Sequence, residues 1–158
     1  VEYGTAGEVH TRTGILNTGE ASGVPIIKEL LAGIPASETV VIDCPPGSSC
    51  TVMDSIRDSD YCLLVTEPTA FGVHNLALVW DLVKLMDKPY GVLINKAIAG
   101  EKIAETFCTR EKIPVLQTIP YDPNLAYLIS NGQLAVEDSK YRQVFQDLLA
   151  RIRREANR

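Results

Sequence analysis

The stretch Thr39-Val-Val-Ile-Asp-Cys-Pro-Pro-Gly47 reads as a buried strand that delivers one carboxylate, Asp43, and then stops in two prolines and a glycine. A near-continuous apolar, β-branched run is what a strand covered on both faces requires, and such strands belong to parallel sheets packed between helices. Ligands of open α/β sheets bind beyond the carboxyl ends of their strands. An Asp at that edge suits a nucleotide hydrolase that holds Mg²⁺, and Gly47 would let a backbone N–H approach a terminal phosphate closely. The same Asp also suits a turn former or a helix cap, so the stretch alone leaves both readings open.

Three more segments of the same kind follow: Tyr61–Glu67, Tyr90–Asn95 and Val115–Ile119. Between them the apolar period becomes helical. Val73, Leu76, Trp80, Val83 and Met86 share one stripe, which predicts a helix from about Gly72 to Met86, ending before Lys88-Pro89. Ile103, Phe107 and Cys108 make a second stripe closed by Pro114, and a last helix begins after Ser139, read as its N-cap. That helix carries Tyr141, Val144, Phe145, Leu148, Leu149 and Ile152 on one side. Strands alternating with helices at this spacing predict an α/β fold, a mostly parallel sheet with helices on both faces in a Rossmann-like three-layer arrangement. Upstream, Val9, Thr11 and Thr13 alternate with polar residues as in an edge strand, and Ser22 can cap a helix through Leu31 that ends at Gly33. No repeat, low-complexity tract or linker interrupts the chain, which reads as a single domain over residues 1–158.

Each strand finishes in polar or turn residues. The second ends in Thr66-Glu67-Pro68-Thr69, the third in Asn95-Lys96 and the fourth in Pro120-Tyr121-Asp122. Four such endings on one edge predict one functional rim. Asn95-Lys96 equally suits the cap of a following helix. His74, near the predicted start of a helix, reads as a packed or capping residue.

Composition narrows the partners. Fifteen Lys and Arg against twenty Asp and Glu give a net charge of −5, so no overall positive field attracts nucleic acid or an acidic membrane. The longest apolar runs fall short of the roughly 20 residues that a spanning helix needs. Cys44, Cys50, Cys62 and Cys108 lie at irregular spacing, which points away from a secreted disulfide scaffold and toward a reducing cytoplasm. Cys44 and Cys50 flank the Pro-Pro-Gly loop, where thiolates suit either a metal or cluster shared by two subunits or ordinary buried thiols. The chain opens on Val1 and reads as part of a longer protein.

The runs VVIDCPPGSSC, LLVTEPTAFGVHNL, KPYGVLINKA and IPVLQTIPYD, in this order and spacing, resemble the MinD/ParA-like (SIMIBI class) P-loop ATPases, in particular the branch with an inserted ferredoxin-type 4Fe-4S domain. The opening Tyr3-Gly-Thr-Ala-Gly-Glu-Val-His-Thr-Arg-Thr-Gly14 is similar to the segment after that insertion. The resemblance implies that Asp43 is the Walker B carboxylate and Mg²⁺ ligand, that Pro45, Pro46 and Gly47 form the switch sensing the γ-phosphate, and that Asn95 recognises adenine. It further implies that Pro120 and Asp122 line the base and ribose side, with Glu67 on the same rim. ATP and Mg²⁺ are then the cofactors and a homodimer the working state. A link to iron–sulfur or metalloprotein partners follows from the branch.

No Gly-x-x-x-x-Gly-Lys-Ser/Thr loop and no Cys-x-x-Cys series occur in these residues. The resemblance therefore casts the chain as the C-terminal part of such an ATPase, inactive alone because the phosphate loop is supplied from elsewhere. A non-enzymatic nucleotide-binding or protein-interaction module is the alternative. In folds of this class the P-loop strand lies between the Asp43 strand and the Cys62–Val65 strand. Without it, either Thr39–Cys44 and Tyr61–Glu67 pair directly or another copy or chain fills the gap.

Overall fold

The computed structural model describes residues 1–35 and 38–156. It divides into two compact units, Val1–Ser59 and Asp60–Arg158.

In the first unit, β1 (Glu2–Ala6) and β2 (Val9–Thr13) form an antiparallel hairpin in the register Glu2↔Thr13 to Ala6↔Val9. Gly7 has φ of 61°, the left-handed conformation that a tight primed hairpin turn needs at its first loop position. The edge strand expected around Val9–Thr13 is thus half of a two-stranded sheet of its own. Helix α1 (Val24–Leu31) has Gly23, and not Ser22, as its N-cap; Ser22 lies one residue outside, where its Oγ accepts from the Val24 N–H at 3.2 Å, and Gly33 follows the helix with φ of 67°. Arg12 adds a contact no local pattern announces. Its guanidinium donates to the carbonyls of Leu30 and Ala32 at 3.0 and 2.7 Å, placing positive charge on the carboxyl end of α1. Helix α2 (Cys50–Ile56) buries Val52, Ser55 and Ile56.

The second unit holds the parallel sheet. β3 (Cys62–Thr66), β4 (Tyr90–Ala97) and β5 (Val115–Pro120) lie in the order β3-β4-β5, joined by α3 (Ala70–Leu85) and α4 (Ile103–Glu111). Helices α5 (Pro123–Ser130) and α6 (Ser139–Ala156) complete it. Alternation along β4 sends Leu93 to one face and Val92 and Ile94 to the other. Leu93 joins Leu116, Ile119 and Leu148 of α6 in one core cluster, with Leu63, Leu125, Val144, Phe145 and Ile152 packed around it. Helices α3 and α4 meet through Trp80 and Phe107, edge to face at 6.1 Å between ring centres. Val92 and Ile94 are wholly buried, and each such side chain is worth about 1.5–3 kcal/mol on burial. This is the predicted α/β sandwich, with three strands in its parallel sheet.

Three helices end in one way. Asp87, Lys112 and Gly132 are left-handed at φ of 53°, 57° and 72°, just beyond α3, α4 and α5. In each case the next residue donates back five positions (Lys88 to Val83, Ile113 to Cys108, Gln133 to Leu128), which satisfies carbonyls the helix leaves open. At the other ends, Thr69 Oγ1 accepts from the Gly72 N–H at 2.9 Å, so α3 starts at Ala70 and not at Gly72. Asp138 Oδ1 accepts from the Lys140 N–H at 2.8 Å, so Asp138, and not Ser139, caps α6.

The Thr39–Cys44 run departs from the strand that its sequence predicts. Thr39–Cys44 forms no strand ladder, and β3 pairs with β4 alone among the described residues. Val41 is 88% exposed and Val40 is exposed as well, the reverse of the two-sided burial its sequence calls for. A run built for the interior of a sheet keeps strand geometry only where neighbours take up its N–H and C=O groups. Direct pairing with Tyr61–Glu67 is therefore not realised.

Candidate functional site

The carboxyl ends of β3, β4 and β5 form one rim. Parallel register brings Thr66 beside Ile94 and Ala97 beside Pro120, and the Tyr121 N–H donates to the Ala97 carbonyl at 2.9 Å. Glu67, Asn95, Pro120 and Asp122, named from sequence, stand together on this edge.

Each is held differently. Glu67 Oε1 takes the Lys96 ammonium at 2.6 Å, tying the tips of β3 and β4, and that bond raises the lysine's pKa above its ordinary value. The Glu67 carbonyl accepts the Thr69 N–H at 2.8 Å, and a Cβ on Gly72 would run into the same oxygen. The turn from β3 into α3 is thereby closed over a glycine. Asn95 Oδ1 accepts the N–H of Lys96 at 3.0 Å, leaving its Nδ2 without a protein partner among the described residues. Between Ile94 and Ala97 the ladder shifts register, and Lys96 adopts φ of 53°.

Asp122 is the most heavily engaged. Its Oδ1 accepts the Asn124 N–H at 2.9 Å as the cap of α5, with Pro123 at the first helical position. Oδ2 takes the Lys140 ammonium at 2.8 Å and the Tyr141 hydroxyl. Lys140 first, then Tyr141 and the Asn124 amide, hold the carboxyl well below the usual carboxylate range. The same contacts raise Lys140, while burial raises the Tyr141 hydroxyl. Lys140 and Tyr141 carry no local signal for this contact with Asp122, because it spans eighteen and nineteen residues. The Asp-Pro pair was a legible cap signal.

Asp43, Pro45, Pro46 and Gly47 belong to the first unit, all exposed in the loop leading to α2. Gly47 has φ of 92°, so the loop needs a glycine for its backbone. Cys44 is half-buried with its thiol toward the Ile42 carbonyl, and Cys50 is exposed at the start of α2. Cys62 and Cys108 are buried on β3 and α4. Among the described residues no three His, Cys, Asp or Glu gather into a group that could hold a metal ion. His74 is exposed near the start of α3.

The Asn95 amide retains two donor hydrogens, and Pro120 and Tyr121 are exposed at the end of β5, groups whose chemistry suits a nucleobase. Mg²⁺ fits Asp43 only in the manner usual for nucleotide sites, one carboxylate with the remaining positions taken by phosphate oxygens and water. Two shallow concavities, along Lys102–Arg110 of α4 and Asp147–Arg154 of α6, lie away from the rim residues. No described helix is long and apolar enough to cross a membrane.

No protein-family model matches the chain. Two uncharacterized proteins of Methanocaldococcus jannaschii are similar to it: MJ0579, 26% identical over 84% of this chain and 46% of its own length, and MJ0578, 25% identical over 89% and 49%. The chain thus spans about half the length of the curated relatives it matches. Among solved structures, the MinD cell division protein of Aquifex aeolicus superposes with a TM-score of 0.60 at 25% identity, covering 71% of this chain and 51% of that one. The fold is MinD/ParA-like.

Proposed function

We propose that this chain supplies the adenine edge and the metal-binding carboxylate of a MinD/ParA-like ATPase whose nucleotide state switches two copies between apart and together. The observation that carries the reading is the convergence of Glu67, Asn95, Pro120 and Asp122 on one strand-end rim in a fold similar to MinD. Asn95 would hold the base through its amide, and the Pro120-Tyr121 corner would line it. Asp122 serves that corner by fixing where β5 passes into α5. Asp43 would hold Mg²⁺, which when bound supplies charge neutralisation at the phosphates, and the Gly47 loop would follow phosphate loss by a backbone rearrangement. Hydrolysis needs a phosphate-binding loop, which these 158 residues do not contain. A link to iron–sulfur or metallocentre chemistry rests on the family resemblance.

That missing loop favours one second reading, a nucleotide-binding or interaction module without turnover. Calorimetric titration of the chain with Mg·ATP, beside Asn95→Ala, tests both. Binding that Asn95→Ala weakens about tenfold, the worth of one or two well-placed hydrogen bonds, supports the adenine edge. Turnover restored by a longer chain bearing a phosphate loop selects the ATPase, binding without turnover in either selects the module, and no binding in either overturns both.

A further inference from the structure

Among the described residues three non-glycines are left-handed, and two of them, Asp87 and Lys112, follow helix ends where this conformation closes the last turn. Lys96 ends no helix. It sits at the tip of the central strand, where the ladder shifts register, with its ammonium on Glu67 at 2.6 Å and its N–H on the Asn95 side chain at 3.0 Å. For a lysine this backbone is unfavourable, so something around it must hold it.

We propose that Glu67 and Lys96 are positioning residues for the Asn95 amide, an inference that rests on the nucleotide-edge reading above. The ion pair anchors the Lys96 side chain to the neighbouring strand tip and so keeps its backbone left-handed. The Lys96 N–H then faces back onto Asn95 Oδ1, which fixes the amide rotamer and leaves Nδ2 as the group available to a ligand. A ligand bearing an acceptor nitrogen or carbonyl on a planar ring, as nucleobases do, would meet a donor already oriented. Glu67 itself is anchored from behind, since its carbonyl accepts Thr69 and admits no side chain at Gly72. The device therefore makes Glu67 a support for the base site and not one of its ligands.

The test is a rescue. In the full chain, Glu67→Gln keeps the shape of the side chain and removes its charge, while Lys96→Gly adopts the left-handed backbone without help. NMR of the chain without nucleotide is expected to show that Glu67→Gln shifts the Asn95 side-chain amide signals and changes the backbone coupling at residue 96. Adding Lys96→Gly to Glu67→Gln is expected to restore the Asn95 signals, and the melting temperature is expected to move little. Asn95 signals unchanged in Glu67→Gln, or shifted but not restored by Lys96→Gly, overturn the proposal. Titration with Mg·ATP then separates the two readings. A loss of about tenfold in Glu67→Gln, recovered in the double variant, supports both. If the NMR rescue holds while Asn95→Ala leaves ATP affinity unchanged, positioning of Asn95 stands and the adenine assignment falls.

Discussion

Asp122 and Lys140 meet at 2.8 Å across eighteen residues of chain, and that contact joins the cap of α5 to the first turn of α6. With the Tyr141 hydroxyl on the same oxygen, one carboxylate sets the geometry of both helices at the end of β5. Asp122→Ala removes the cap, the ion pair and the tyrosine's acceptor together. It is expected to lower the melting temperature by several degrees, about the effect of losing a helix cap in a chain of this size. Asp122→Asn retains a capping oxygen and is expected to lose less. Differential scanning calorimetry of the two variants ranks them, and equal melting temperatures for wild type and Asp122→Ala would rule the joint out.

The pH dependence of this joint has a defined sign. The folded-state pKa of Asp122 lies below its unfolded value, so its contribution is fully present above the ordinary carboxylate range and is lost as the pH falls through and below that range. Urea unfolding followed from pH 7 down to about pH 2 is expected to show a shallower acid loss for Asp122→Asn than for wild type.

Tyr61 gives the opposite edge. Burial first, then Glu155 and Cys62, push its hydroxyl up to about 12, and the hydroxyl has no hydrogen-bond partner among the described residues. Between the unfolded value of 10.0 and about 12 the folded chain holds the proton that the unfolded chain has released, so stability declines as the pH rises through that window. Tyr61→Phe is expected to flatten this alkaline decline and to leave stability at pH 7 unchanged or higher, since no bond is lost. Alkaline unfolding curves of the two proteins test it.

Gly72→Ala places a methyl group against the Glu67 carbonyl, a backbone atom that cannot swing away. The turn from β3 into α3 must open, at an expected cost of about 1–3 kcal/mol in chemical denaturation. A neutral result would mean that the turn is looser than this packing requires.

Ile94 is wholly buried on the central strand, and truncating it leaves a cavity among rigid neighbours. Ile94→Ala is expected to cost about 2–5 kcal/mol by the same measurement, far more than Val65→Ala on the edge strand, where the side chain is 59% exposed.

The second unit was legible because its signals are local and repeated. The buried runs at Cys62–Thr66, Tyr90–Ala97 and Val115–Pro120, and the stripe through Leu76, Trp80 and Val83, carry period and length together, so each element is specified by its own residues. The candidate rim was legible in part for the same reason, since strand ends show as polar residues after apolar runs. Lys140 and Tyr141 gave no such signal, and Lys96 showed only as a strand end: their roles depend on partners outside their own turn of chain.

The Thr39–Cys44 run shows where that legibility stops. Its sequence determines an apolar, β-branched segment ending in Asp43, and with the later runs it determined the α/β class and the set of residues at the strand ends. Whether a run becomes a strand was decided by tertiary structure, because its backbone groups must be paired by a neighbouring strand and, among the described residues, this run joins no sheet. Tertiary structure likewise decided that Asp122 is a joint between helices and that Glu67 faces Lys96. Both follow from distances between residues remote in sequence, which no local pattern encodes.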